Sequence, residues 1–273
     1  TYLILASNII IADKILKSPR ILSDTELGPF VVGLIDGDGS LQVNHWRKKN
    51  LQYRLVVKLA DKPLNSDMLS HIAKVYGGYV RQGVEKESRY VQWIINDQNT
   101  FKQTILPLLD NYPPLTSRMR LQYYFFKKFL QSPIVEHYFI ERGLKYKNRD
   151  SILPLFTEVP NYFKEWLAGF IESEGSFSLR VQGNYSFSIG QNHDCYLITA
   201  IRDYYGLSHL TIAYKTGKIS GYPFYEFSVG SANGTGKVID HCTSLLQGYK
   251  YYQLAVFVSK NKVFNNRSKE FFE

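Results

Sequence analysis

The chain of 273 residues reads as an α+β protein made of two copies of one module, each with a mostly antiparallel sheet. Three observations predict this. First, the nine-residue pattern Val31-Val32-Gly33-Leu34-Ile35-Asp36-Gly37-Asp38-Gly39 returns as Leu167-Ala168-Gly169-Phe170-Ile171-Glu172-Ser173-Glu174-Gly175, with Asp38 and Glu174 136 residues apart. Second, each copy runs into a stretch of alternating polar and apolar residues. Third, the correspondence continues at an offset of about 128 to 136 residues through nearly the whole chain. A duplicated segment is expected to fold twice and to sit about a pseudo-twofold axis, with two carboxylates brought together where the copies meet.

Each motif is an apolar, helix-like run with small residues four apart. The alternating stretches that follow, Ser40-Leu41-Gln42-Val43-Asn44-His45-Trp46 and Ser176-Phe177-Ser178-Leu179-Arg180-Val181-Gln182, predict half-buried strands with one wet face. Second strands are expected over residues 52–59 and 185–191. Helices are then expected over 66–76 and 196–205, stopped by Gly77-Gly78 and by Gly206. Residues 90–95 match 224–229 as a later strand, and helices starting near Phe101 and Gly236 lead to Arg118 and Lys250 at equivalent places. Each half therefore reads as helix, two strands, helix, two strands, helices.

The expected organisation is an N-terminal extension over residues 1–28, a first module over 29–131, a linker over 132–161 and a second module over 162–273. The linker carries Pro133, Pro154 and Pro160, while Ile134, Val135, Phe139 and Phe156 predict that it packs against the body. The apolar run 2–12 is too short to span a bilayer and is expected to form a helix laid across the core, so no membrane partner is expected. A chain that begins with Thr is expected to be a processed or truncated form, so the lack of a visible targeting signal carries little weight.

Net charge is +9, and the charge is clustered. Residues 41–60 hold Arg47, Lys48, Lys49, Arg54 and Lys58 without an acid, and residues 117–149 hold eight Lys or Arg against Glu136 and Glu141. Such patches suit a phosphate backbone, although a solubilising surface would look similar. Cys195 and Cys242 are too few for a disulfide framework and point to a reducing compartment. The His193/Cys195 and His241/Cys242 pairs lack zinc-ligand spacing and are expected to be packing or surface residues.

The acids stand out energetically. With residues 30–38 helical, Asp36 and Asp38 fall in the last turn, with Gly39 as a candidate left-handed cap, and Glu172 and Glu174 repeat the arrangement. Each faces the negative end of the helix macrodipole, at a cost of about 0.3–1 kcal/mol when exposed. Structure alone offers no evident compensation, whereas a divalent cation would, and carboxylates beside free helix-end carbonyls suit Mg²⁺. Gly33 and Gly37 in one copy, and Gly169 and Ser173 in the other, would let the two helices pack backbone to backbone and share metals.

The paired motifs resemble the signature of the LAGLIDADG homing endonucleases in their single-chain, two-motif form, over about residues 30–265. The resemblance implies two pseudo-symmetric αββαββα modules, joined through the motif helices, with saddle-shaped sheets lying in the DNA major groove. It implies a monomer acting on double-stranded DNA, encoded in organellar introns and placed in the mitochondrion. The last acid of each motif, Asp38 and Glu174, is then the expected metal ligand, helped by the backbone carbonyls of Gly37 and Ser173. Lys250 and Arg118 take the place of the family's basic residue, and Lys58 and Ser188 that of its polar strand residue. A permanently charged Arg118 cannot relay a proton, so unequal cutting of the two strands is expected.

The implied reaction is Mg²⁺-assisted phosphodiester hydrolysis in a long target, leaving short 3′ overhangs. Mn²⁺ is expected to substitute, and Ca²⁺ to bind without efficient cleavage. Base reading is assigned to Ser40, Gln42, Asn44, Trp46, Arg54, Gln92 and Asn96 in the first half. In the second half it is assigned to Ser176, Ser178, Arg180, Gln182, Ser188, Glu226 and Ser228. Trp46 has the alternative of covering the sheet edge. Two further functions stay open on the same fold: a maturase binding its cognate group I intron RNA, and a DNA-binding protein that does not cut.

Overall fold

The computed structural model describes residues 10–11, 14–147, 149, 158–179, 183–217 and 221–273. A short antiparallel pair, β1 (Ile10–Ile11) and β2 (Lys14–Ile15), opens the described chain, and Leu16 bridges to Phe272 near the C-terminus. The helix expected over residues 2–12 is corrected where it can be compared, because Ile10–Ile11 pairs as a strand; residues 1–9 and 12 lie outside the described residues.

The first module runs α1 (Asp24–Asp38), β3 (Gly39–Trp46), β4 (Asn50–Ala60), α2 (Pro63–Tyr76), β5 (Tyr79–Glu85) and β6 (Ser88–Ile95). It continues through α3 (Gln98–Thr100), a π-helical turn (Phe101–Ile105), α4 (Leu106–Asn111) and α5 (Ser117–Gln131). A linker helix, α6 (Val135–Glu141), follows. The second module runs α7 (Phe163–Glu174), β7 (Ser176–Leu179), β8 (Tyr185–Asn192), α8 (Cys195–Tyr204), β9 (Ala213–Thr216), β10 (Pro223–Val229), α9 (Ala232–Thr243) and α10 (Tyr249–Lys260), with a 3₁₀ segment (Asn265–Glu270) behind it. The sheets are antiparallel and share one topology, β3-β4-β6-β5 and β7-β8-β10-β9. This is the duplicated α+β architecture expected from the repeat.

Periodicity does not reveal the linker helix α6. It packs on the first module through Tyr138, buried against Phe129, and Phe139, 4.9 Å from the His45 ring, and Lys128 pairs with Glu141 at 2.6 Å. Ile134, expected to be buried, is 41% exposed, and Phe156 lies outside the described residues. Among the described residues no helix is long and apolar enough to cross a membrane.

The core lies where α1 and α7 meet. Phe30 to Ile35 in one helix, and Trp166 to Ile171 in the other, are buried on every side, which explains runs with so little polar interruption. A β-carbon on Gly33 would lie 1.9 Å from the Trp166 carbonyl oxygen, and one on Gly169 would lie 1.9 Å from that of Phe30. The two backbones touch at these reciprocal glycines, as the small-residue spacing predicts. Gly39 departs from expectation. Its φ is −82°, extended rather than left-handed, and glycine is needed there because a β-carbon would lie 2.4 Å from the Ile35 carbonyl oxygen. The chain thus passes from α1 into β3 without a left-handed cap, and Asp38 is held where helix, strand and partner helix converge.

Candidate active site

The two acids of each motif part company. Asp36 is fully buried, and four donors satisfy its carboxylate. Leu115 N–H (2.8 Å) and Trp166 Nε1–H (2.7 Å) donate to Oδ2, and Thr116 N–H (3.1 Å) and Thr116 O–H (2.6 Å) donate to Oδ1. Glu172 is buried likewise and accepts from Gln247 N–H (3.2 Å) and Lys250 N–H (2.8 Å). Each carboxylate closes the N-terminus of the helix that follows its own sheet, α5 for Asp36 and α10 for Glu172. The positive end of that helix supplies the compensation that the sequence alone does not show. Burial nevertheless pushes both carboxyl groups above the usual carboxylate range, against these hydrogen bonds.

Asp38 and Glu174 have no such set of donors; the Ser173 hydroxyl donates to Asp38. Asp38 is open to solvent at the end of α1, and Glu174 is half-buried at the end of α7. A β-carbon on Gly37 would meet Ser173 Cβ at 2.3 Å and Glu174 Cγ at 3.3 Å, so the two acidic helix ends are in contact. Burial and the charge of Asp38 push Glu174 up to about 7, with Arg118 and Lys250 opposing. Desolvation by the surrounding protein raises Asp38 as well, against the same two cations and a hydrogen bond from the Ser173 hydroxyl. Lys250 moves the other way: burial pushes its ammonium below the usual range, against the pull of Glu172, Asp38 and Glu174.

Two carboxylates with few hydrogen-bond donors at abutting helix ends fit a divalent cation. The donors are hard oxygens, their mutual repulsion is what a cation relieves, and a phosphate can complete the shell of an ion that takes few protein ligands. Among the described residues no three His, Cys, Asp or Glu side chains cluster as a closed metal site, so carbonyls or substrate must supply the remaining oxygens. The Gly37 carbonyl is already engaged. Arg118 donates to the carbonyls of Asp36 (2.6 Å), Gly37 (2.9 Å) and Gly39 (2.7 Å), capping the C-terminus of α1. The Ser173 hydroxyl, shared with Asp38, also donates to the Leu34 carbonyl at 3.3 Å, tying the second helix end to the first helix.

A cavity of about 690 Å³ opens beside this point, lined by Gly37, Arg118 and Glu174, by Gln191, Asn192 and His193 at the end of β8, by Tyr222, and by Tyr146, Lys147 and Arg149 of the linker. Several of these groups carry no signal in the sequence. Gln191 of β8 lines the cavity, and Ser188 sits mid-strand between Ser176 and Ser228. Lys58 pairs with Glu85 and lies 4.1 Å from the Tyr90 ring centroid, next along β4 from Val57, the partner of Gly39. His193, expected to be an ordinary packing or surface residue, lines the cavity. His241 is buried between Tyr205 and the Lys164 carbonyl.

The sheet faces away from the core are polar, as alternation predicts. Ser40, Gln42, Asn44 and Trp46 lie opposite Val56, Arg54, Gln52 and Asn50 on one face, and Gln92 joins them between Lys58 and Arg81. Gln92 is 8% exposed, covered in the free protein by these neighbours. Trp46, on the edge strand β3, is 55% exposed with the Arg47 guanidinium 5.3 Å from its ring. Asn96 is exposed just beyond β6. In the second half Ser176, Ser178, Ser188, Glu226 and Ser228 share the equivalent face, with Glu226 paired to Lys215 at 2.5 Å. Arg180 and Gln182 lie outside the described residues.

The profile of the family described as "LAGLIDADG endonuclease" matches residues 31–130 and 167–259, one match per module. The chain belongs to the LAGLIDADG endonuclease family. A protein of Debaryomyces hansenii named "Probable intron-encoded endonuclease aI3" is 34% identical over 84% of this chain and 37% of its own length. A protein of the same name from Dictyostelium citrinum is 41% identical over 68% of this chain and 77% of its own. The chain thus spans little more than a third of one LAGLIDADG relative and about three quarters of the other. Among solved structures, the LAGLIDADG meganuclease I-CpaMI bound to uncleaved DNA shares the fold with a TM-score of 0.67 at 18% identity, covering 89% of this chain and 93% of that one. I-SmaMI bound to an uncleaved DNA target in the presence of calcium gives a TM-score of 0.65 at 20% identity, covering 92% and 94%.

Proposed function

We propose that this LAGLIDADG protein is a metal-dependent DNA endonuclease that makes a double-strand break in a long, nearly asymmetric target, in the service of intron homing. The observation that carries the reading is the contact of two acidic helix ends, Asp38 and Glu174, midway between two polar sheet faces. The relatives named as intron-encoded endonucleases, and the fold shared with proteins solved on DNA, support double-stranded DNA as the substrate. Organellar introns, and so the mitochondrion, are the proposed setting.

Asp38 and Glu174 are the proposed cation ligands, with Mg²⁺ the expected ion. Bound there, it would supply Lewis acidity to the scissile phosphates and lower the pKa of an attacking water. The protein's own residues do the rest. Arg118 and Lys250 offset charge building on the phosphoryl oxygens as water adds to phosphorus and the P–O bond to the leaving oxygen opens. Lys250, with its depressed pKa, can also exchange a proton with the entering or leaving oxygen; Arg118 cannot. Short 3′ overhangs are the expected product.

The test is cleavage of intron-free organellar DNA from the source organism in Mg²⁺, Ca²⁺ or EDTA, with an Asp38→Asn/Glu174→Gln double variant as control. One Mg²⁺-dependent break, absent from the variant, supports the reading. Tight, sequence-specific binding in Ca²⁺ without a cut in Mg²⁺ overturns it and turns attention to intron RNA.

A further inference from the structure

Arg118 and Lys250 occupy equivalent places, the second residue of α5 and the second residue of α10. A cation there faces the positive end of a helix, in a first turn whose amide groups have no partners within the helix. Within the same half, Glu172 accepts from the Lys250 amide in the first turn of α10, and Asp36 accepts from the Leu115 and Thr116 amides just ahead of α5. The first amide of each helix is satisfied from the opposite half. Ser117 donates its backbone N–H to Asp194 at 2.9 Å and its hydroxyl to the same carboxylate at 2.5 Å. Tyr249 donates its backbone N–H to Asn65 at 2.8 Å.

Asp194 follows the end of β8, and Asn65 follows the end of β4, the equivalent strand of the other sheet. Asn65 is tied back to that strand by donating its amide N–H to the Ala60 carbonyl at 3.0 Å. Both side chains are buried, with 1% and 6% exposure, so neither reaches DNA or a cation. Each instead joins the end of a groove-facing strand in one half to the helix bearing the cation of the other.

We infer that Asp194 and Asn65 are positioning residues acting across the molecule, Asp194 aiming Arg118 and Asn65 aiming Lys250. This rests on the endonuclease reading above. The two halves are wired in trans. When the second sheet seats on DNA, the end of β8 holds the first turn of α5 and keeps Arg118 on the α1 carbonyls beside the cavity. The end of β4 does the same for Lys250. Loss of one contact lets one first turn shift and spoils the geometry at one scissile phosphate only.

The experiment uses the full chain and a duplex selected by the wild type from a random-sequence pool in Ca²⁺, with a different fluorophore on each strand. Single-turnover nicking of each strand in Mg²⁺ is read beside the Kd in Ca²⁺ and the melting temperature. Asp194→Ala is expected to slow one strand by roughly tenfold to a hundredfold, the scale of a misplaced catalytic group. The other strand and the Kd stay near wild type. Asn65→Ala is expected to slow the opposite strand. Asp194→Asn, which keeps an acceptor for the Ser117 amide, recovers most of the loss. Equal slowing of both strands, the same slow strand in both variants, or no recovery by Asp194→Asn overturns the inference. Should Asp194→Ala fail to fold, Ser117→Ala removes only the hydroxyl contact: a strand bias sustains the inference and an even loss overturns it. A wild type that nicks neither strand defeats the endonuclease reading, and the inference with it.

Discussion

Gly33→Ala tests the core of the structure. A β-carbon there would lie 1.9 Å from the Trp166 carbonyl oxygen and 2.8 Å from the Phe170 nitrogen. Favourable carbon contacts fall near ~3.5–4.0 Å, so α1 and α7 would have to separate by more than about 1 Å. The atoms met are backbone, so no side-chain rotamer can relieve the clash. Overpacking of this kind costs about 1–3 kcal/mol, and the upper end applies here. The substitution also gains about 1 kcal/mol of helix propensity, leaving a net loss of about 2 kcal/mol.

For a chain of this size a loss of about 2 kcal/mol lowers Tm by roughly 4–8 °C. The same displacement pulls Asp38 away from Glu174, and an error of about 1 Å can lower the cleavage rate about a hundredfold. Gly236→Ala is the control. It is also helical, but its nearest neighbour to a new β-carbon is Phe264 at 3.9 Å, so propensity alone should act and raise Tm by roughly 2–4 °C. Thermal unfolding and Mg²⁺-dependent nicking of both variants make the comparison. If Gly33→Ala melts no lower than Gly236→Ala and nicks at the wild-type rate, the helices do not meet backbone to backbone.

Three other outcomes are expected. Asp36→Asn turns an amide toward donors that now share a carboxylate, leaving at least one buried N–H facing another, at about 2–3 kcal/mol by denaturant unfolding. His241 donates from Nε2 to the Lys164 carbonyl and accepts at Nδ1 from the Tyr205 hydroxyl, and burial depresses its pKa to about 4. Its contribution is therefore full above about pH 6.5 and lost as pH falls toward 4, about 3 kcal/mol in all; His241→Gln, which keeps both hydrogen-bond roles, should lose that share of the acid sensitivity. Arg47 and Lys48 hold left-handed φ values of 51° and 57° at the β3–β4 turn, so Asn-Gly in their place should gain about 1 kcal/mol in thermal or denaturant unfolding. The same replacement should flatten the salt dependence of DNA binding by up to ~0.9 in log–log slope for each phosphate that either cation neutralises.

Periodicity makes the elements legible where one rule governs a whole segment. The alternation in β3 and β4 and the small-residue spacing of the motif helices name both the element and its buried face. Legibility fails where the decision is tertiary. Four acids at two helix ends look alike in sequence, yet Asp36 and Glu172 turn inward to the N-termini of α5 and α10, which stand far away along the chain. Gln191 shares the parity of core-facing Ile189 and so reads as an inward position, but it lies where the strand outruns the core and opens on the cavity. Lys58 is assigned through the family's polar strand position, whereas its ion pair with Glu85 depends on β5, a strand the repeat does not delineate. The linker helix α6 is too short for a period to show and is held by rings from β3 and α5.

The two pairs of acids also explain why a charged motif can sit at the middle of a hydrophobic interface. One acid of each pair is matched by a helix N-terminus, so the fold accommodates it without a ligand. The other is left beside its pseudo-symmetric counterpart, and burial together with that neighbour raises Glu174 far above an ordinary carboxyl group. Two neighbouring carboxylates thus stand at one point, the contact of α1 and α7, with Arg118 and Lys250 as the opposing charges. The two cations nearest that point differ. Arg118 is committed to three carbonyls of α1, while Lys250, its pKa lowered by burial, is held among Glu172, Asp38 and Glu174. A symmetric scaffold therefore presents chemically unequal surroundings to two equivalent phosphates. The strand served by Lys250, which alone can exchange a proton, should be cut first; time-resolved nicking of a doubly labelled duplex that finds equal rates would show that proton exchange does not limit the reaction.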